Sequence, residues 1–234
     1  MQLMIVILWI ITTFILGSIA GILGKRYGVI YPIALVSALV VMANIFAAKI
    51  VQLGPFTVPA GIIVFSMIFL ITDIISERWG KEKARKAVWA GFFSSIALVV
   101  SVYIVVSLQP AAYAKEFSDM FSEVLSLAPR ITLAGFIAYL ISQHHDVWAF
   151  DFLKKKTKGK HLWLRNNAST VSSQLIDSII FISIAFYGVF PIVPLIIGQW
   201  AVKVMIALID TPFLYATLWL MDKTKTKKRR VSSV

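Results

Sequence analysis

Leu3–Leu23, LMIVILWIITTFILGSIAGIL, runs 21 residues without a charge, the length that carries an α-helix across a hydrocarbon core of about 30 Å. Six more apolar runs follow, at Tyr27–Val51, Pro59–Ser76, Ala87–Leu108, Ile131–Leu153, Ala168–Val189 and Pro194–Met221. Seven spans are therefore expected, and continuous runs argue for helices, because a spanning barrel shows alternating segments of about ten residues. Composition agrees: 59% of the 234 residues are hydrophobic, 15% are charged and the mean hydropathy is +0.85, against roughly 45–50% apolar content in soluble domains. The expected fold is an all-α integral membrane protein with no large soluble domain. Only Met1 and Gln2 precede the first run, so it lacks a basic leader and reads as a retained span rather than a cleaved signal peptide. Pro212 falls inside the last run and predicts a bend there.

Charge sets the orientation. Of 23 Lys and Arg, 19 lie in alternate loops: Lys25 and Arg26; Arg78, Lys81, Lys83, Arg85 and Lys86; Lys154, Lys155, Lys156, Lys158, Lys160 and Arg165; and Lys223, Lys225, Lys227, Lys228, Arg229 and Arg230. The opposite loops hold only Lys115 and Arg130, with Lys49 and Lys203 inside spans. The positive-inside rule then places the amino terminus outside and the tail inside. The net charge of +12 is explained by topology, and the tail suits anionic lipid better than nucleic acid. With no Cys in the chain, disulfides, thiolate metal sites and cysteine nucleophiles are excluded. No phosphate loop, HExxH helix, GxSxG elbow or GxGxxG fingerprint occurs, and no cofactor or metal is expected. His144, His145 and His161 lack metal-ligand spacing, leaving a proton relay as the use open to His144 or His145.

Between Gln109 and Pro129, the residues Phe117, Met120, Phe121, Val124 and Leu127 recur at helical spacing, with Asp119 and Glu123 opposite. This predicts a short helix on the membrane surface, serving either as a lid or as a covering loop. In the first span Gly17, Gly21 and Gly24 form a small-residue face suited either to a homodimer seam or to packing within the chain.

The charges that fall within apolar runs carry the functional reading. Asp73, Asp146, Asp177, Lys203 and Asp210 each cost about 2.5–3.5 kcal/mol in lipid unless they face a cavity or a partner. Orientation puts Asp73, Asp146 and Asp177 in the inner half, Asn44, Lys49, Arg130 and Lys203 in the outer half, and Asp210 near the middle. Gln143 and Asp146 are spaced i,i+3; Ser169, Ser173 and Asp177 form a stripe with Thr170 and Gln174 beside it; Lys203 and Asp210 lie two turns apart; Ser37 and Asn44 share a side of the second span. Converging stripes would line a polar pocket near the midplane. The plainer alternative is that the hydroxyls and amides only bond neighbouring helices, at roughly 0.6 kcal/mol each, and that an Asp–Lys pair only locks two helices. Glu77 and Arg78 read as a salt bridge at the inner rim.

Six pieces in order carry a family resemblance: Ala43-Asn44-Ile45; Ile71-Thr72-Asp73 with Trp79-Gly80; Pro129-Arg130-Ile131; Ala138-Tyr139, Ser142-Gln143 and Asp146-Val147; Ala168-Ser169-Thr170 with Asp177-Ser178; and Val202-Lys203-Val204. Together, from Val41 to Met221, they resemble the queuosine precursor transporters of the vitamin uptake transporter group. The resemblance implies import of 7-deazaguanines such as 7-cyano- and 7-aminomethyl-7-deazaguanine, or queuine-like bases, for tRNA modification. It also implies a six-helix core similar to the substrate-binding components of energy-coupling-factor transporters. On that reading residues 1–234 form one transmembrane domain, with 1–24 an additional N-terminal span, 27–222 the core and 223–234 a basic cytoplasmic tail, in the cytoplasmic membrane. A deazaguanine edge presents an N1 hydrogen and a 2-amino group to a carboxylate, and its O6 to a donor. Asp177 or Asp146 would take the N–H groups, Gln143 and Gln174 complete the edge, and Asn44 read the 7-substituent. Phe or Trp would stack on the ring, and Arg130 and Lys203 would balance the carboxylates or form an outer gate. Asp73 and Ser173 complete the candidate set. The other classes weighed are a binding subunit that needs a separate ATP-driven module, an intramembrane hydrolase lacking a suitable Ser–His pair, and a channel whose mixed-sign charges fit poorly.

Overall fold

The structure is a computed structural model that describes residues 2–158 and 162–231. Its helices are α1 (Gln2–Tyr27), α2 (Ile30–Ala47), α3 (Gly61–Trp79), α4 (Lys81–Ser107), α5 (Lys115–Leu125), α6 (Ala128–Lys156), α7 (Leu162–Phe186) and α8 (Ile192–Val231). Each expected apolar run lies on a long helix, and α8 continues through Pro212, which has no N–H to offer the preceding turn.

An antiparallel hairpin departs from the all-α expectation. Strands β1 (Ile50–Leu53) and β2 (Phe56–Pro59) pair from Ile50 with Pro59 to Leu53 with Phe56. The helix α2 ends at Ala47, so Lys49 lies outside any helix, although its run reads to Val51 in the sequence. Gly54 has φ +59° at the first central position of the two-residue turn, where a hairpin favours glycine. Thr57 Oγ1 donates to Gln52 Oε1 at 2.7 Å across the strands.

Six stretches among the described residues are long and apolar enough to cross a membrane: Met4–Tyr27, Ile30–Ala47, Lys81–Ser107, Ala112–Ser142, Ala168–Phe186 and Ile192–Lys223. The chain is a multi-pass membrane protein. The helix α3 differs from these stretches because its 19 residues include Asp73, Glu77 and Arg78, yet it is deeply buried, with Ile71, Ile74 and Ile75 wholly inaccessible.

Two compact units divide the chain. The first comprises Met1–Ala47, Ala60–Ser101 and Met205–Val234; the second comprises Ala48–Pro59 and Val102–Val204. In the first, α3 packs between partners rather than against lipid. Val36, Leu39 and Ala43 of α2 meet Val64, Met67, Ile68, Ile71 and Ile75 of α3 in one core, with Ala87 of α4. A methyl group on Gly61 would run into the backbone of Ala43 and Ala47, so this crossing of α2 and α3 needs glycine. The glycine face of α1 is occupied inside the same unit. Gly17 faces Met67 and Ile71, Gly21 faces Ile74, Thr217 and Met221, and Gly24 faces Pro32 and Trp79. Of the two uses open to Gly17, Gly21 and Gly24, these contacts favour packing within the chain, where small residues let α1 approach its own neighbours, and nothing supports a homodimer seam there. The same contacts run in register along α1, α3 and the later part of α8, so these three helices point the same way. At their shared rim Lys25 Nζ donates to Met221 O, and Arg78 pairs with Asp222 at 2.8 Å. Arg78 thus takes Asp222 rather than the adjacent Glu77, because successive helical residues do not face each other.

In the second unit α6 and α7 form an antiparallel pair, and the hairpin lies against the start of α8. A methyl group on Gly198 would strike the backbone of Thr57. Val58 of β2 is wholly buried.

Candidate functional site

The second unit gathers buried polar groups from α6, α7 and α8. On α7, four-residue spacing stacks Ser169, Ser173 and Asp177 along one face, and all three are buried, Asp177 at 8% exposure. Lys203 of α8 is buried at 7% and forms an ion pair with Asp177 Oδ2. Ser142 of α6 donates to Asp177 Oδ1 at 3.4 Å and also reaches Tyr139 O at 3.2 Å. Three helices therefore meet at one carboxylate. Desolvating both ions is costly, and their mutual attraction together with further hydrogen bonds offsets that cost.

One turn before Asp177 on α7, the Gln174 Oε1 atom is buried without a hydrogen-bond partner. A buried acceptor left without a donor costs about 1–3 kcal/mol, so it calls for an incoming donor to complete it. Ser173 donates back into its own helix, to Ser169 O at 2.9 Å and Thr170 O at 3.1 Å. Gln199, one turn before Lys203 on α8, is buried at 3%. Trp200 Nε1 donates to Val171 O at 3.1 Å, tying α8 to α7. Gln199 was absent from the sequence-derived set; its i,i+4 spacing from Lys203 is the signal that marks it.

The remaining candidates go elsewhere. Arg130, near the start of α6, donates from Nε to Ile184 O at 2.6 Å and from Nη2 to Tyr187 O at 2.7 Å. It thus caps the C-terminal carbonyls of α7, where a cation also meets the negative end of the helix dipole. Asn44 belongs to the first unit, where its Nδ2 donates to Val40 O at 2.9 Å and to Ser95 Oγ at 3.5 Å. Asp73, also in the first unit, is exposed on α3 one turn before Glu77. The side chains of Gln143, Asp146 and Asp210, the residue His161 and the tail side chains beyond Lys223 lie outside the described residues. His144 Nδ1–H donates to Leu140 O at 2.7 Å, whereas His145 Nδ1 is buried without a partner. No group of three metal-ligating residues occurs among the described residues.

A carboxylate on α7 paired with an ammonium from α8, one turn from an unpartnered amide oxygen, suits a flat ligand edge that offers one acceptor beside N–H donors. A family model described as "Putative vitamin uptake transporter" matches residues 59–217, from the end of β2 to well inside α8. The chain belongs to the vitamin uptake transporter family. That family is one of transporters rather than enzymes. Among its members, the "Probable queuosine precursor transporter" of Bacillus subtilis (strain 168) is 31% identical over 213 residues, covering 89% of this chain and 92% of that protein. The "Queuosine precursor transporter" of Escherichia coli (strain K12) is 29% identical over 164 residues, covering 70% and 71%. The "Probable queuosine precursor transporter" of Haemophilus influenzae is 33% identical over 127 residues, covering 54% and 51%. No solved structure matches the chain.

Proposed function

We propose that the chain imports 7-deazaguanine precursors of queuosine across the cytoplasmic membrane for tRNA modification, and that Asp177, Lys203 and Gln174 hold the guanine-like edge. The observation that carries this reading is the buried Asp177–Lys203 pair beside the partnerless Gln174 oxygen, in a chain whose relatives are named for queuosine precursors. A deazaguanine carries both halves of the complement. Its N1 hydrogen and 2-amino group offer two donors to the Asp177 carboxylate, its O6 accepts from the Lys203 ammonium, and a remaining amino hydrogen suits Gln174 Oε1. The ion pair satisfies both charges while the site is empty, and the ligand replaces each partner with one of like polarity. Gln143 and Asp146 remain part of this proposal through their place on α6, and Ser173 through its place on α7.

Seven spans belong to the same reading, with α3 as the third and the residues from α2 to α8 as the core that resembles energy-coupling-factor binding components. Two observations support it. The helix α3 is 19 residues long, about 28 Å at 1.5 Å per residue. It also runs in the same direction as α1 and α8, as the first, third and seventh spans must.

Uptake of labelled 7-cyano-7-deazaguanine tests the proposal, in cells that cannot make or import the base. Expression of the chain restores uptake, excess unlabelled 7-aminomethyl-7-deazaguanine competes, and adenine does not. Lack of uptake by a chain shown to reach the membrane contradicts the proposal.

A further inference from the structure

The helix α5 turns its apolar side away from the protein. Phe117, Met120, Phe121 and Val124 are 72%, 53%, 46% and 51% exposed, while Ser118, Ser122 and Leu125 are partly covered. At 100° per residue the helix has three faces. The first is aromatic and aliphatic, through Phe117, Met120, Phe121 and Val124. The second is acidic, through Glu116, Asp119 and Glu123. The third is narrow and small, through Ser118 and Ser122. A covering loop over a polar site would point its apolar side inward, and this helix does the reverse.

We propose that α5 is an interfacial membrane anchor, lying along the bilayer surface with Phe117, Met120, Phe121 and Val124 inserted among the lipid chains. Continuity with the lipid-facing surface identifies the occupant. The helix sits between the end of α4 and the start of α6, where Tyr103, Ile104 and Leu108 on one side and Leu133 and Phe136 on the other are also exposed apolar residues of membrane-length segments. Tyr113, 95% exposed just before α5, has the ring and hydroxyl favoured at the level of the lipid headgroups. The sequence of faces suits such a boundary, with an apolar side for lipid, an acidic side for water and a small side for the protein.

The absence of native Cys allows single spin labels to be placed without background. Phe117→Cys, Phe121→Cys, Asp119→Cys and Glu123→Cys are labelled in the full chain and reconstituted in vesicles of phosphatidylethanolamine and phosphatidylglycerol. Accessibility to molecular oxygen, which concentrates in the bilayer, should exceed accessibility to a water-soluble nickel chelate at 117 and 121, and the order should reverse at 119 and 123. Because a spin label could perturb the helix, a small fluorophore on Phe121→Cys supplies a second readout free of the seven native Trp, with stronger quenching by brominated lipid than by aqueous iodide. Equal nickel access on both faces overturns the proposal. So does dipolar broadening between labels at 121 of two chains together with loss of oxygen access there, which would assign the face to a second copy.

Discussion

Asp177 and Lys203 serve two ends that mutation can separate. Removing one charge strands the other in a dry site, so Lys203→Met alone should lower stability by about 3–5 kcal/mol, read as a fall in the thermal midpoint in detergent. The double variant Asp177→Asn with Lys203→Met removes both charges and should recover most of that loss, while uptake stays at background because the deazaguanine edge has lost its acceptor and its donor. A purely structural pair would recover both. Gln174 should behave in the opposite way. Gln174→Leu removes a buried acceptor without a partner and should leave stability equal or raised, yet weaken uptake about tenfold in KM, the equivalent of about 1.4 kcal/mol. The stripe that contains Asp177 was legible from four-residue spacing alone. An Asp–Lys pair was among the alternatives, but which carboxylate Lys203 meets was not legible, because spacing orders residues along one helix and says nothing of which neighbouring helix meets them. Arg130 illustrates the same limit: its depth suggested a counter-charge to the carboxylates, and its contacts are with carbonyls at the end of α7.

At the scale of elements, the long helices followed from uninterrupted apolar runs, whereas the hairpin fills the short gap between two of them and overlaps both ends. Ile50 and Val51 close one run and Pro59 opens the next, so hydropathy alone merges the outer ends of the strands with the spans. The Gly54-Pro55 pair and the β-branched Ile50, Val51, Thr57 and Val58 were the local signals of a turn between strands. The hairpin depends on Gly198, since any side chain there meets the backbone of Thr57. Gly198→Ala should therefore cost about 1–3 kcal/mol through overpacking, and Gly61→Ala a similar amount at the crossing of α2 and α3, both read by thermal unfolding against an exposed control such as Ser126→Ala. Arg130→Lys keeps the charge but loses the fork that reaches two carbonyls. It should destabilise the chain by about 1–2 kcal/mol and leave the KM for deazaguanine unchanged, whereas a gate residue would alter transport first.

Across the whole molecule, membrane class followed from composition, and the proposed orientation rests on the placement of 19 basic residues in alternate loops. What the sequence could not convey is how enclosed the apolar side of α3 is, with Ile71, Ile74 and Ile75 wholly inaccessible while Asp73 and Glu77 stay exposed. Alkaline phosphatase fused after Leu23 should be inactive and after Pro110 active, because the first lies at an inner loop and the second at an outer one under the seven-span arrangement; the reverse pattern would invert the orientation. Everything about function converges on one edge of one ligand. The most direct measurement is binding of 7-cyano-7-deazaguanine to the purified chain by calorimetry, beside an analogue methylated at N1. The account predicts saturable binding of the parent base, at least about tenfold weaker binding of the N1-methyl analogue, and no difference between the two in the Asp177→Asn, Lys203→Met chain. Equal affinity of the unaltered chain for both compounds would contradict it.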